Sequence, residues 1–289
     1  MEKLIETVNR KSMLIRPSGR STDFISPSFG HGCLYNCSYC YMKRHKPEGL
    51  TIADPKSVTD ILTEINSHAW FNTTEKPNQT HEEFITYDIS CNEDFALHAK
   101  FHNWERIFNF FKDHPIAMGS FATKYVNKKL LDYNPEGKIR IRFSLMPQKY
   151  AYVLEHNTSF IEDRIKAIDT FIDAGYDVHI NFSPVIITDS WLVDYKWLFK
   201  QVDKYVINKD KVKAEVIFLT HNNSKHIYNT LNNIPGEDLI WRPDIQESKT
   251  SQYGSVNLRY RHDLKAEYIK QFVKLHDEII PWNTIRYIF

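Results

Sequence analysis

Three cysteines, Cys33, Cys37 and Cys40, lie within one short segment, GHGCLYNCSYCYM. Their Cys-x3-Cys-x2-Cys spacing offers three thiolates, one fewer than the four that usually hold a cubane iron–sulfur cluster. An iron left without a protein ligand is open to a small molecule. Cluster and cofactor then carry chemistry that side chains cannot perform, while the protein positions them. The competing use of close cysteines is a structural zinc site, but zinc takes a closed set of four ligands, often as two Cys-x2-Cys pairs. Cys91 is the only other cysteine, so a second such pair is absent.

The elements that must position these thiols read as an α/β chain. DFISPSF is expected as a strand leading into the cysteine loop, EFITYDIS as a second ending just before Cys91, and PIAMGSFAT as a third. KIRIRFSL, DVHINFSPVII and KAEVIFLTH follow as the fourth to sixth. Val58, Ile61, Leu62 and Ile65 share one face of a helix expected over 55–69. Further helices are expected over 100–112 and over 160–174, the latter stopped by Gly175. Strands alternating with helices argue for a parallel sheet with right-handed crossovers. Ligands of such sheets bind at the carboxyl ends of the strands. That rule gathers the cysteine loop, Cys91, Lys124, Ser144 and Pro184 on one rim. Residues 239–261 break the alternation and read as a β-hairpin, and TIRYIF as a short closing strand.

With 289 residues and 42% hydrophobic content, the chain suits one large domain spanning 1–289. Basic and acidic residues balance at 37 against 36, so net charge neither demands nor excludes a nucleic acid. No apolar run approaches the length of a membrane span, and the first residues lack a signal-peptide core. Four cysteines, three of them clustered, argue against a secreted disulfide framework. A reducing cytoplasm is the expected location.

The cysteine spacing, with an aromatic residue just before the third cysteine, resembles the radical S-adenosylmethionine (SAM) superfamily. Within it, several ordered blocks resemble the spore photoproduct lyase family: CLYNCSYCY, ISCNEDF, FATKY, the stretch from KIRIRFSL through INFSPVIITDSW, then LTH and QYG…RYR. The resemblance runs from about residue 25 to the C-terminus. It implies a partial (β/α)6 radical SAM barrel with a C-terminal β-hairpin, a cluster loop over 30–42 and a hairpin near 239–261. It implies a 4Fe–4S cluster on Cys33, Cys37 and Cys40, with SAM on the open iron. It also implies a thymine–thymine lesion in DNA as substrate and an electron donor such as flavodoxin or ferredoxin. A 5′-deoxyadenosyl radical would take hydrogen from the lesion, and the carbon–carbon bond joining the thymines would then break. Cys91 matches the cysteine that returns hydrogen. Tyr39 and Tyr41 match relay tyrosines, with Tyr39 also beside the adenine. Lys124 and Ser144 match SAM contacts, and Tyr253 and Gly254 a lesion-facing hairpin.

The chain departs from that pattern in places. Asn92–Glu93 follows the donor cysteine where the family usually has small hydroxyl residues, so Glu93 is expected at the substrate. Met146 replaces an asparagine, and Gln252 an arginine of the hairpin. Lys124, Lys128, Lys129, Lys138, Arg140 and Arg142 read as a basic stretch for phosphates, joined by Arg242, Lys249, Arg259, Arg261 and Lys265 near the hairpin. Trp241, Tyr253 and Tyr260 are aromatic rings suited to stacking on bases. Two other functions compete with lesion repair. One is a radical SAM lyase or isomerase remodelling a modified thymine or another nucleoside. The other is a nucleic-acid-binding module with a purely structural cluster.

Overall fold

The computed structural model describes residues 4–46, 48–250 and 256–289. The chain divides into two compact units. The first comprises 1–34, 46–143 and 168–179, and the second 35–45, 144–167 and 180–289. Cys33 therefore belongs to the first unit, and Cys37 and Cys40 to the second.

In the first unit, β1 (Ile5–Val8), β2 (Arg16–Pro17), β3 (Phe24–Ile25), β4 (Gly30–Gly32) and β5 (Leu50–Ala53) precede β6 (Ile85–Asp88), β7 (Ala117–Thr123) and β8 (Ile139–Leu145). β5 lies between β1 and β4, parallel to the first and antiparallel to the second. β3, β6, β7 and β8 form successive parallel pairs, and β2 adds an antiparallel edge. DFISPSF does not form one strand. Pro27 lacks the N–H a ladder needs, and Ser26 Oγ turns to the Asp88 carbonyl at 3.1 Å. The expected helix is present as Pro55–Phe71. Asp54 caps it through the Ser57 N–H at 2.7 Å, Pro55 occupies the first turn, and Val58, Ile61, Leu62 and Ile65 form its buried face. The next helix begins later than expected, at Trp104, because Asn103 accepts from the Arg106 N–H. Phe95, Phe108 and Phe121 stack together as the aromatic core of this unit.

Gly175 follows the helix Ile161–Asp173 with φ of +93°, a conformation glycine takes without strain. A Cβ there would also overlap the Asn134 side chain.

The second unit contains β9 (Asp177–Val185, of which 180–185 lie here), β10 (Lys213–Phe218) and β11 (Thr220–Asn222). They are followed by β12 (Gln246–Thr250), β13 (Val256–Tyr260) and β14 (Thr284–Ile288). β14 pairs parallel with β10, as a closing strand should. β12 and β13 are the arms of the expected hairpin, and β11 pairs with β13. KAEVIFLTH is thus two strands, the second given to the hairpin sheet. Phe182, Phe199, Phe218 and Phe272 make the core here. Among the described residues, no helix is long and apolar enough to cross a membrane.

Candidate active site

In the first unit, the turn after β6 carries Cys91, which is partly exposed. Each of the next three residues is tied to a different part of the unit. Asn92 accepts the Gly32 N–H at 3.0 Å through its carbonyl, and its amide donates to Ser28 Oγ at 2.5 Å. Asp94 caps the short helix Phe95–His98 and accepts from Thr123 Oγ1 at 2.6 Å and from the Lys124 N–H at 2.8 Å. These bonds set the Cys91 turn beside both the segment that leads into Cys33 and the end of β7, where Lys124 stands partly exposed. Arg16 brings Nη2 to 4.0 Å from Cys91 Sγ, the cation that sequence reading did not connect with this cysteine.

Glu93 faces inward. Its side chain is fully buried, and Oε2 accepts from His98 Nδ1 at 3.0 Å and His102 Nε2 at 2.9 Å. Burial opposes the charged form, but the two imidazoles outweigh it and hold the carboxyl at about 2. The expected substrate-facing carboxylate is thus paired in the interior. His98 and His102 carry a signal that the sequence reading above passes over. They stand in His-x3-His spacing, which by itself suits zinc. Here both imidazoles are given to Glu93.

In the second unit, Cys40 N–H closes a turn on the Cys37 carbonyl at 3.0 Å. Ser38, between them, is held at three points: its N–H to the Leu154 carbonyl at 2.9 Å, its hydroxyl to the Pro235 carbonyl at 2.9 Å, and its carbonyl by Asn229 Nδ2 at 2.8 Å. Asn229 is oriented in turn by Glu237, which also accepts from His221 and His226. Tyr39 donates its hydroxyl to Glu155 Oε1. Glu155 Oε2 pairs with Arg164 at 2.8 Å, both side chains fully buried, and Arg164 also donates to the Ser144 carbonyl at 2.8 Å. Burial and the Glu155 charge push the Tyr39 phenol well up, so it keeps its hydrogen. Ser144 is buried. Tyr41 is exposed, its ring edge-on to His45. Tyr253, Gly254 and Gln252 lie outside the described residues.

Several expected phosphate contacts are structural. Lys138, Arg140 and Arg142 are buried, because β8 is covered on both faces. Arg140 pairs with Asp177 and Arg142 with Asp88, both at 2.7 Å, and Lys138 donates to the His114 carbonyl at 2.6 Å. Arg242 pairs with Asp244 and Arg259 with Glu247. Tyr260 is 1% exposed, its hydroxyl accepting the Ile187 N–H, so its ring is core rather than a stacking platform. Trp241 stacks on His226 with centroids 3.7 Å apart.

Three soft thiols in one loop, Cys33 and Cys37 buried and Cys40 partly exposed, fit an iron–sulfur cluster by donor chemistry. Among the described residues no three His, Cys, Asp or Glu side chains already form a metal-ion site. The fit therefore rests on ligand type.

Comparison with known proteins adds a lineage. The family model described as Spore photoproduct lyase matches residues 3–289. A spore photoproduct lyase of Bacillus subtilis (strain 168) is 24% identical over 283 residues, covering 96% of this chain and 80% of that protein. One of Clostridium acetobutylicum is 22% identical over 259 residues, covering 89% and 74%. A solved mutant of spore photoproduct lyase with bound AdoMet and dinucleoside spore photoproduct matches with a TM-score of 0.86 and 18% identity, over 99% of this chain and 82% of that one. A spore photoproduct lyase complexed with dinucleoside spore photoproduct matches equally well, at 19% identity. The likeness covers the fold along nearly the whole chain.

Proposed function

The chain belongs to the spore photoproduct lyase family of radical SAM enzymes, and from that premise we propose that it splits a spore-photoproduct-type thymine dimer in DNA. The observation that carries the reading is the Gly32 N–H to Asn92 carbonyl bond. It joins the residue before Cys33 to the residue after Cys91, so a cluster ligand and a hydrogen donor occupy adjoining segments of one unit. In this reading Cys33, Cys37 and Cys40 hold a 4Fe–4S cluster, and Lys124 pairs with the carboxylate of SAM. Bound there, they would supply the radical chemistry that removes a hydrogen atom from the lesion.

The chain's own residues then act on the product side. After the bond between the thymines breaks, Cys91 gives its S–H hydrogen to the thymine radical and is left as a thiyl. Tyr41 and Tyr39 then relay the radical back towards the cofactor: phenolic hydrogen passes to the thiyl and restores the Cys91 S–H, and the hydrogen so spent is replaced from the cofactor side. Tyr39 is suited to this because its phenol is kept protonated and aimed at one acceptor, Glu155. Arg16, at Cys91, is placed to meet an anionic or carbonyl oxygen of the lesion. The two departures after Cys91 leave this substrate acceptable. The Asn92 amide is bonded to Ser28 and the buried Glu93 carboxylate to two imidazoles, so neither side chain is turned towards a ligand.

The test is anaerobic incubation of cluster-reconstituted protein with dithionite, SAM and dinucleoside spore photoproduct, followed by mass analysis. Thymidine release together with 5′-deoxyadenosine is expected. Formation of 5′-deoxyadenosine from SAM with the dinucleoside left intact, in ultraviolet-damaged DNA as well, would move the enzyme to another modified nucleoside.

A further inference from the structure

The buried Glu93 is not explained by hydrogen return or by SAM binding, yet its surroundings are built with care. His98 Nε2 accepts the Leu34 N–H at 3.3 Å. An imidazole nitrogen that accepts carries no proton, so His98 holds its proton on Nδ1, the atom facing Glu93 Oε2 at 3.0 Å. The direction of every bond is therefore fixed: Leu34 N–H to His98, His98 N–H to Glu93. Glu93 itself closes the Cys91 turn, its N–H donating to the Ser90 carbonyl at 3.2 Å, while Ser90 Oγ donates back to the Glu93 carbonyl at 3.0 Å. His102 supplies the second N–H to the same carboxylate oxygen and stacks on Phe95 with centroids 5.0 Å apart. Gly30 lies against the carboxyl group so closely that a Cβ would overlap it.

We infer that Glu93 is a positioning residue: through His98 it locks the turn bearing Cys91 to the backbone just after the cluster ligand Cys33. The inference rests on the proposed role of Cys91 as hydrogen donor. A donor cysteine must meet a short-lived carbon radical before solvent or reductant does. A loosely held turn would lose that race. Reach depends on geometry at the ångström scale, where a small misplacement far from the reacting atoms costs orders of magnitude. The Gly32–Asn92 backbone bond and the Asn92 and Asp94 side chains hold the turn to Ser28 and to the end of β7. The Leu34–His98–Glu93 chain adds a side-chain tie that runs to the backbone just after Cys33, and it needs no contact between Glu93 and substrate.

The lock requires one oxygen acceptor and two N–H donors in fixed places rather than a negative charge at the lesion. Glu93→Ala removes it. Glu93→Gln keeps it: the amide oxygen takes the place of Oε2 and accepts from both His98 Nδ1 and His102 Nε2. His98→Ala cuts the link to Leu34 and leaves Glu93 with His102.

Two measurements test the inference. Hydrogen exchange of the Gly32 and Leu34 amides, in protein without cluster, reads the lock directly. Exchange should quicken by about tenfold or more in Glu93→Ala and His98→Ala and stay near wild type in Glu93→Gln. The second is the ratio of clean thymidine to 5′-deoxyadenosine with dinucleoside spore photoproduct. It should fall by about tenfold in Glu93→Ala and His98→Ala, with off-path adducts in place of thymidine, and recover in Glu93→Gln. Unchanged exchange in both alanine variants overturns the lock, as does a Glu93→Gln protein that behaves like Glu93→Ala. Should Glu93→Ala fail to fold, His98→Ala against Glu93→Gln decides the same question. A wild-type enzyme that releases no thymidine sinks the lyase reading alone, because the exchange result stands apart from it.

Discussion

Gly30→Ala should destabilise the protein by acting on one distant carboxyl group. The added methyl would occupy the space of the Glu93 Cδ and both its oxygens. Glu93 cannot yield cheaply, because its side chain is fully buried and bonded to His98 and His102. Displacing a buried carboxylate from its two imidazole N–H donors costs about 3–6 kcal/mol, at about 1.5–3 kcal/mol per hydrogen bond to a charged group. An independent figure comes from the carboxyl group itself. Held at about 2 against an ordinary 4.5, it contributes about 3 kcal/mol at neutral pH, since each pKa unit is ~1.4 kcal/mol. The sign follows from the direction: a depressed carboxyl stabilises fully above its unfolded value of 4.5 and loses that contribution as pH falls through about 2. The expected cost of Gly30→Ala at pH 7 is therefore about 3 kcal/mol. In a Glu93→Ala background the same methyl enters vacated space and should cost under about 1 kcal/mol. Urea unfolding of wild type, both single variants and the double variant gives the coupling, expected at about 2 kcal/mol. Additivity within about 0.5 kcal/mol would show that Gly30 and Glu93 do not compete for space, and the close packing around the carboxyl would be refuted.

Three other outcomes are expected. Arg164→Met should lower stability by about 3–5 kcal/mol by leaving Glu155 buried with only Tyr39 as partner; an unfolding midpoint equal to wild type would mean that Glu155 finds another cation. Cys37→Ala should lose both the cluster absorbance and 5′-deoxyadenosine formation, and an intact four-iron spectrum in that variant would reassign the ligands. Arg16→Ala should raise KM for a lesion-bearing oligonucleotide and reduce the slope of log affinity against log salt by about one, as loss of one phosphate contact does; an unchanged slope would place Arg16 away from phosphate.

What the sequence disclosed was whatever depends on near neighbours. The spacing of Cys33, Cys37 and Cys40 can be read without a structure because all three lie in one continuous segment. The helix Pro55–Phe71 shows its buried face in four residues and its start in Asp54 and Pro55. The strand KIRIRFSL was legible as a strand but not as to its surroundings. Its arginines read as part of a basic stretch for phosphates. Both faces are covered, and the partners that make this tolerable, Asp88 and Asp177, lie 54 and 37 residues away. Tyr260 misleads in the same way: the backbone N–H that satisfies its hydroxyl belongs to Ile187, 73 residues distant. A buried ion or phenol looks on paper like a surface one, since burial is decided by elements that arrive from elsewhere.

Glu93 shows how one such hidden partnership changes a functional argument. Read alone, an acidic residue two places after a hydrogen-donor cysteine suggests a different substrate, because a carboxylate repels phosphate. Its partners were within reach of local reading, at His98 and His102, but two imidazoles in His-x3-His spacing also invite a metal. Only the turn geometry separates these uses. Helix Phe95–His98 brings one imidazole back over the turn, and the segment to His102 returns the second to the same oxygen. With its side chain fully buried against those rings, Glu93 presents no atom to a ligand at Cys91. Asn92 and Asp94 follow the same logic, their side chains taken by Ser28 and by the end of β7 at Thr123 and Lys124. Three consecutive polar residues beside Cys91 thus face the scaffold. On the proposed reading, Cys91 and Arg16, 4.0 Å away, are what this turn offers to substrate, so substrate choice should respond to Arg16→Ala more than to changes in the residues that follow the cysteine in sequence.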